Sequence, residues 1–215
     1  MAVRAARDAA PPGSVTIGYA EDLVITRAVR DLRRRHPDAH VRTRHLGWQD
    51  TRALPDGRVD ALVARTPLPV PAGNLDVTVL YEEPRVLVLP AFHRLAGKET
   101  VTPGDFAAEP MVACAGAPAP WIGFWRLEPG TRHRPAPVAP LVADAVEDKL
   151  DAVADGRAVA LLPARDRRLT GRDDLATVAV EGIEPCHVVV ATRRGDDNPL
   201  VAGFREAAGT HLRHP

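Results

Sequence analysis

The chain has 215 residues, of which 45% are hydrophobic and 26% charged, so it can build a core and is not expected to be disordered. Its 28 basic residues balance 28 acidic ones, which is not the charge of a nucleic-acid-binding surface. No apolar run is long enough for a membrane-spanning helix, and the N-terminus lacks the apolar segment of a secretory signal. The only cysteines, Cys114 and Cys186, cannot form a disulfide framework. We therefore expect a compact cytoplasmic protein with no membrane association.

Strand and helix patterns alternate in the first half of the chain. Residues 1–13 end in Pro-Pro-Gly and are interpreted as a leader or the remnant of a linker. The predicted elements that follow are a strand at 15–17, a helix at 21–35, a strand at 41–46, a short helix at 49–54, and strands at 59–64, 77–81 and 85–89. Glu21 and Asp22 in the first turn of the long helix would suit its dipole. The alternation favours a parallel sheet with crossover helices.

The second half repeats this alternation more loosely. Its predicted elements are a short helix at 102–107, a strand at 111–114, a helix from Asp144, strands at 158–162, 177–180 and 187–192, and a helix at 199–211. Asp144 and Glu147 have the spacing of a capping box, and Gly156 would end that helix. The proline-rich residues 115–140 are interpreted as mostly loop. Two strand–helix blocks around a proline-rich centre predict two α/β lobes. In such sheets ligands are expected to bind beyond the carboxyl ends of the strands.

No catalytic or metal site is predicted. Cys186 and His187 are neighbours on a predicted strand, so their side chains point to opposite faces. Glu82 and Glu83 are separated in the same way on an extended chain. Two histidine pairs have suitable spacing for a metal but no supporting carboxylate or cysteine cluster, and we interpret them as solvated: His36 with His40, and His211 with His214. We expect no enzyme activity, no cofactor and no metal.

Several short motifs, in a fixed order and spacing, resemble one known family. They are VTIG at 15–18, RRRHP at 33–37, DGRVDALV at 56–63, LYEEPRVLVLP at 80–90, HRLA at 93–96, DFA at 105–107 and VADGRAVALLP at 153–163. Together they resemble the effector-binding (substrate-binding) domain of LysR-type transcriptional regulators, over residues 14–212. In that family a winged helix-turn-helix precedes the first strand, and here only 13 residues do. DNA binding is therefore expected only through a helix-turn-helix domain not present in this chain. Whether the chain is a truncated regulator or a stand-alone domain stays open.

The resemblance implies an α/β fold like that of type 2 periplasmic binding proteins. Two lobes would be joined by two crossover strands, near 86–90 and 187–191, with a cleft between them. Lobe one would comprise residues 14–88 and 189–215, and lobe two residues 89–188. In the family a small effector, often a carboxylate, binds between the lobes and changes how the domains pair.

The resemblance also implies effector-binding residues at strand ends. They are Tyr19, Ala20, Arg65 and Thr66 in lobe one, and Cys114, Ala115, Trp121, Ala143 and Asp144 in lobe two. Arg65 could pair with a ligand carboxylate or be a surface arginine. Glu21 and Asp22 either compete with an anionic ligand or stabilise a helix end. The Trp121 ring either lines the binding site of an apolar ligand or lies in the core.

We therefore expect a non-enzymatic ligand sensor, the effector-binding domain of a LysR-type regulator. Its partners would be a small molecule, either a small carboxylate or an aromatic compound, and a second copy of itself in a homodimer. A solute-binding protein of the same fold serving a transporter is the alternative, and the lack of a signal segment argues against it.

Overall fold

The computed structural model describes residues 13–20, 22–69, 73–128 and 137–213, and these form two compact units. The first unit comprises the described residues of Met1–Tyr81 and Val188–Pro215, and the second unit is made of those of Glu82–His187. The predicted leader lies outside the described residues except for Gly13, and so does Glu21.

The strands and helices are numbered in chain order. The strands are β1 Ser14–Ala20, β2 His40–Leu46, β3 Ala61–Arg65, β4 Leu75–Glu83, β5 Arg85–Pro90, β6 Thr100–Val101, β7 Met111–Cys114, β8 Val138–Ala143, β9 Ala160–Pro163, β10 Leu175–Val180 and β11 Cys186–Arg193. The α-helices are α1 Thr26–Arg35, α2 Ala119–Arg126, α3 Val146–Ala154 and α4 Pro199–His211. Short 3-10 helices lie at Pro103–Phe106 and Arg167–Leu169. None of the helices in the described ranges is both long and apolar enough to cross a membrane.

The first unit is a five-stranded sheet in the order β2-β1-β3-β11-β4. Strand β1 pairs in parallel with β2 and β3, as predicted, whereas β11 is antiparallel to β3. One core cluster joins α1 and α4 to the sheet through residues such as Leu32, Val190 and Phe204. A second cluster contains Leu54 and Leu62. Burial of β3 at all five of its residues explains its continuously apolar sequence up to Arg65.

The predicted helix at 49–54 is wrong, because these residues form successive turns. The N–H of Thr51 donates to the carbonyl of Gln49, only two residues earlier. The Asp50 carboxylate accepts the N–H of Gly47 at 3.1 Å. Asp side chains compete in this way with helical hydrogen bonding, and no helix propagates through the segment.

Helix α1 begins at Thr26 rather than at residue 21. Residues 22–25 are not helical, and Leu23 and Ile25 instead bury their side chains in the core. Asp22 therefore does not lie in the first helical turn, where the sequence analysis placed it. Its carboxylate is engaged elsewhere, by Arg65.

The second unit contains a four-stranded sheet in the order β6-β10-β5-β9 and a separate parallel pair, β7-β8. Strand β5 is antiparallel to both β9 and β10. Residues 85–88, which were predicted to lie in lobe one, therefore pair with strands of the second unit, which begins at Glu82. The ladder hydrogen bonds to β9 and β10 are not visible in local sequence patterns.

Two predictions in the proline-rich region and after it need correction. Helix α2 lies in the segment interpreted as mostly loop, because Pro118 and Pro120 occupy its cap and first turn, where proline is compatible with a helix. Helix α3 starts at Val146, and Asp148 accepts the N–H of Ala145 at 3.2 Å. The capping pair is therefore shifted by one residue from the predicted pair.

Candidate functional site

In the first unit, four of the predicted site residues lie at one end of the sheet. Strands β1 and β3 are parallel neighbours, with Tyr19 opposite Val63, so their carboxyl ends lie side by side. This arrangement brings together Tyr19 and Ala20 from β1 with Arg65 and Thr66 from the end of β3, and we call these residues the first edge. Ligand sites in α/β proteins commonly occur at such strand ends.

Arg65 forms a buried ion pair at the first edge. Its Nη1 donates to Oδ1 of Asp22 at 2.7 Å, and the two side chains are only 5% and 4% exposed. The interpretation of Arg65 as a surface arginine is therefore wrong. Arg65 is the last residue of β3 rather than one residue beyond it, which makes its guanidinium part of the packed strand end.

Sequence reasoning missed Asp22 as the partner of Arg65. The two residues are 43 positions apart. Asp22 closely follows β1 and Arg65 ends β3, and the structure shows that these two strands are parallel neighbours. Opposite charges at the ends of neighbouring parallel strands were the signal that could have suggested the pair. Local helix-dipole considerations pointed instead to a helix-stabilising role for Asp22.

In the second unit, four further predicted residues lie together. Strands β7 and β8 are parallel with Cys114 opposite Ala143, and the N–H of Ala115 donates to the carbonyl of Ala143 at 2.9 Å. Cys114, Ala115, Ala143 and Asp144 thus form what we call the second edge. Cys114 and Ala143 are buried, whereas Asp144 is exposed and leads directly into α3.

Trp121 lies in an aromatic group on α2. It is 8% exposed, and its ring centroid is 6.0 Å from that of Trp125. The ring of Phe124 meets Trp125 edge-on at 5.3 Å, and the guanidinium of Arg85 lies 3.8 Å from the centre of the Phe124 ring. Of the two interpretations for Trp121, burial in the core of the second unit fits this packing better.

Arg85, which packs against this aromatic group, is only 4% exposed. Its guanidinium donates to the carbonyl oxygens of Glu184, at 2.7 Å, and Phe124, at 2.5 Å. Burial disfavours the charged form and lowers the pKa of Arg85 to about 10. The hydrogen bonds and the stacked ring compensate for this burial, so Arg85 is explained as a structural residue of the second unit.

Cys186 and His187, neighbours on β11, have different surroundings. Cys186 is fully buried, with its Sγ 3.4 Å from the carbonyl oxygen of Glu83. His187 lies 3.8 Å from Glu82 in a more exposed pair. Within the described ranges, no three His, Cys, Asp or Glu side chains are grouped to hold a metal ion.

A groove of about 550 Å³ also lies in the first unit, between β4 and α4. Its lining residues are Thr78, Ala202, Arg205, Glu206, Gly209, Thr210 and Arg213. None of these is a predicted site residue. The groove therefore serves as a useful reference surface for testing where a ligand binds.

The chain matches the LysR substrate binding domain family over residues 9–213. It is also 34% identical over 106 residues to an uncharacterized HTH-type transcriptional regulator, YnfL, of Escherichia coli strain K12. That match covers 46% of this chain and 35% of the regulator, so the matched part spans about a third of that curated relative.

Solved structures of low sequence identity share the fold. The BenM effector-binding domain with its effector benzoate has a TM-score of 0.68 at 19% identity, with 94% of this chain and 95% of that chain covered. The oxidized form of OxyR has a TM-score of 0.70 at 19% identity, with 94% and 96% covered. HinK, a LysR family regulator from Pseudomonas aeruginosa, has a TM-score of 0.69 at 20% identity, with 93% and 72% covered. These similarities identify the two-unit α/β architecture as that of LysR effector-binding domains.

Proposed function

Because the chain belongs to the LysR substrate-binding domain family, we propose that it senses a small-molecule effector for a LysR-type transcriptional regulator in the cytoplasm. The effector is bound without chemical conversion. DNA is contacted by a helix-turn-helix domain of the regulator and not by these residues, whose charges balance.

The observation that carries the proposal is the grouping of predicted residues at two strand ends. Parallel strands β1 and β3 present the first edge, and parallel strands β7 and β8 present the second edge. We propose that the effector binds in the interlobe cleft and contacts both edges. Thr66 and Ala115 are partly exposed members of the two edges, so their side chains are suitable positions for blocking substitutions.

Effector binding is proposed to change the arrangement of a homodimer. A ligand shifts such an equilibrium only by as much as its affinity differs between the two arrangements. A bound effector should therefore shift the dimer from one arrangement to the other. Small-angle X-ray scattering of the dimer with and without a saturating ligand measures this shift, and an unchanged scattering profile would remove this part of the proposal.

The site is tested by blocking each edge separately. Small acids, amides, amines, amino acids and aromatics are first screened by thermal shift on the wild-type protein. The affinity of a saturable hit is then measured by calorimetry for Thr66→Trp and Ala115→Trp. Thr78→Trp, in the β4–α4 groove, is the matched control.

We expect both edge variants to bind the hit at least tenfold more weakly and the groove variant to bind it normally. Loss of binding in Thr78→Trp with unchanged binding in both edge variants would place the ligand elsewhere. Circular dichroism of each variant confirms that the fold is retained before affinities are compared.

The comparisons do not favour the transporter solute-binding alternative. The curated relative is named as a transcriptional regulator, and the match to the LysR family runs through nearly the whole chain.

A further inference from the structure

The charge expected of the effector can be inferred from the groups that would receive it. At the first edge, the positive group placed to bind a carboxylate is the Arg65 guanidinium. The chain supplies its own carboxylate there, because Asp22 lies 2.7 Å from Arg65 and both side chains are almost wholly buried. An incoming carboxylate would have to displace Asp22 or be placed beside it.

Two carboxylates at one buried guanidinium would repel each other, and each would lose part of its hydration. A neutral amide adds no charge at this position. The closed ion pair at the first edge therefore disfavours an acid relative to an amide of the same shape.

The second edge has a similar arrangement around α3. The first turn of a helix attracts anions because its N–H groups are unsatisfied. Here Asp148 accepts the N–H of Ala145, and Glu147 adds a further acidic side chain to that turn. Asp144 precedes the N-cap residue Ala145, so the charge of the chain itself opposes a carboxylate ligand here.

The N-terminus of helix α2, which follows β7, is also poorly suited to bind an anion. Its N-cap is Pro118 and its second residue is Pro120, and proline has no N–H to donate. Acidic side chains at α3 and prolines at α2 thus reduce the capacity of these two helices to bind an anion next to the second edge.

We propose that the effector carries no carboxylate, being neutral or amine-bearing, and that Asp22 determines this specificity by occupying Arg65. The inference rests on the proposed function, since it assumes that a ligand contacts the two edges. On this proposal Asp22 is a specificity residue, because its carboxylate occupies the position beside Arg65 that a ligand carboxylate would otherwise take.

The test uses three probes with one ring and three charges: benzoate, benzamide and benzylamine. Dissociation constants are measured by calorimetry for the wild-type protein, Asp22→Asn and the double variant Asp22→Asn/Arg65→Gln. Asp76→Asn is the matched control, because Asp76 pairs with Arg194 in an exposed ion pair of the same unit.

We expect Asp22→Asn to bind benzoate at least tenfold more tightly than the wild-type protein does, since the variant removes the carboxylate charge that lies 2.7 Å from Arg65 and opposes a second carboxylate there. The double variant should lose this gain, and Asp76→Asn should match the wild type. A folded Asp22→Asn protein with no gain in benzoate affinity overturns the proposal.

A second measurement needs only the wild-type protein and covers the case in which Asp22→Asn does not fold. Acids and their matched amides are screened in pairs by thermal shift and calorimetry. The amides should bind at least tenfold more tightly than the acids, and tighter binding of the acids overturns the inference. Absence of any saturable ligand, even in the full screen, counts instead against the proposed effector-binding function.

Discussion

Replacing Arg65 by methionine removes one charge from the buried pair and leaves the Asp22 carboxylate without this cation. At 2.7 Å, with an effective dielectric constant of roughly 20, the attraction between two unit charges is about 6 kcal/mol. Desolvation offsets part of this attraction, and breaking a buried pair typically costs about 3–5 kcal/mol. We therefore expect Arg65→Met, and likewise Asp22→Asn, to lower the free energy of unfolding by about 3–5 kcal/mol.

The loss should be visible as a change in Tm. For a chain of this size, a change of 1 kcal/mol shifts Tm by roughly 2–4 °C, so each single variant should melt roughly 6–20 °C lower. The double variant Asp22→Leu/Arg65→Met removes both charges, and we expect it to be more stable than either single variant. Urea unfolding followed by circular dichroism supplies the double-mutant cycle.

The control pair is Asp76 with Arg194, whose side chains are 42% and 63% exposed. Replacing either residue of this pair should lower the free energy of unfolding by less than about 1 kcal/mol. If the two units unfold in separate steps, the step assigned to the first unit is the one compared. Single variants at Asp22 and Arg65 that each cost less than about 1 kcal/mol, and whose effects simply add, would refute the reasoning.

Three further variants test packing and capping. Phe204→Ala removes a fully buried ring from the core of the first unit and should cost about 3–5 kcal/mol in urea unfolding, whereas a loss below about 1 kcal/mol would contradict this packing. Gly18→Val should cost about 1–3 kcal/mol or more by the same measurement, since even a Cβ at this position would lie 2.9 Å from Leu46; an unchanged midpoint would contradict it. The backbone N–H and hydroxyl of Thr102 hold the pKa of Asp105 below its ordinary 3.8. Because a lowered carboxyl pKa stabilises the folded state above the ordinary value, wild type should exceed Asp105→Asn in stability at pH 7, and the difference should disappear as the pH falls below about 3.8. A stability difference that persists unchanged in acid would exclude the lowered pKa of Asp105 as its cause.

Local signals predicted those elements whose ends carry their own capping or breaking residues. Helix α4 starts and ends where the sequence analysis placed it, because Asn198 caps its N-terminus and Pro199 suits the first helical position. The stop at Gly156, whose φ is +74°, was predicted for a similar reason. The predicted strand at 111–114 was also confirmed. In these segments nearest-neighbour geometry and the tertiary fold favour the same conformation.

The elements that differed from prediction depend on contacts between distant residues. The first turn expected at 21–25 is not helical over residues 22–25, where Asp22 pairs with Arg65 and Leu23 and Ile25 enter the core. Residues 85–88 pair within the second unit because β5 forms its ladders with β9 and β10. Sequence periodicity contains no information about which partner such a strand or side chain will meet.

The sequence by itself determined the α/β class and the family. The class follows from apolar periodicity and turn residues, and the family follows from the order and spacing of short motifs. Only the tertiary structure decided that Arg65 is buried and that Asp22 neutralises it. An ion pair between residues 43 positions apart forms only after the parallel strands have brought their carboxyl ends together, and this pairing underlies the effector charge that we propose.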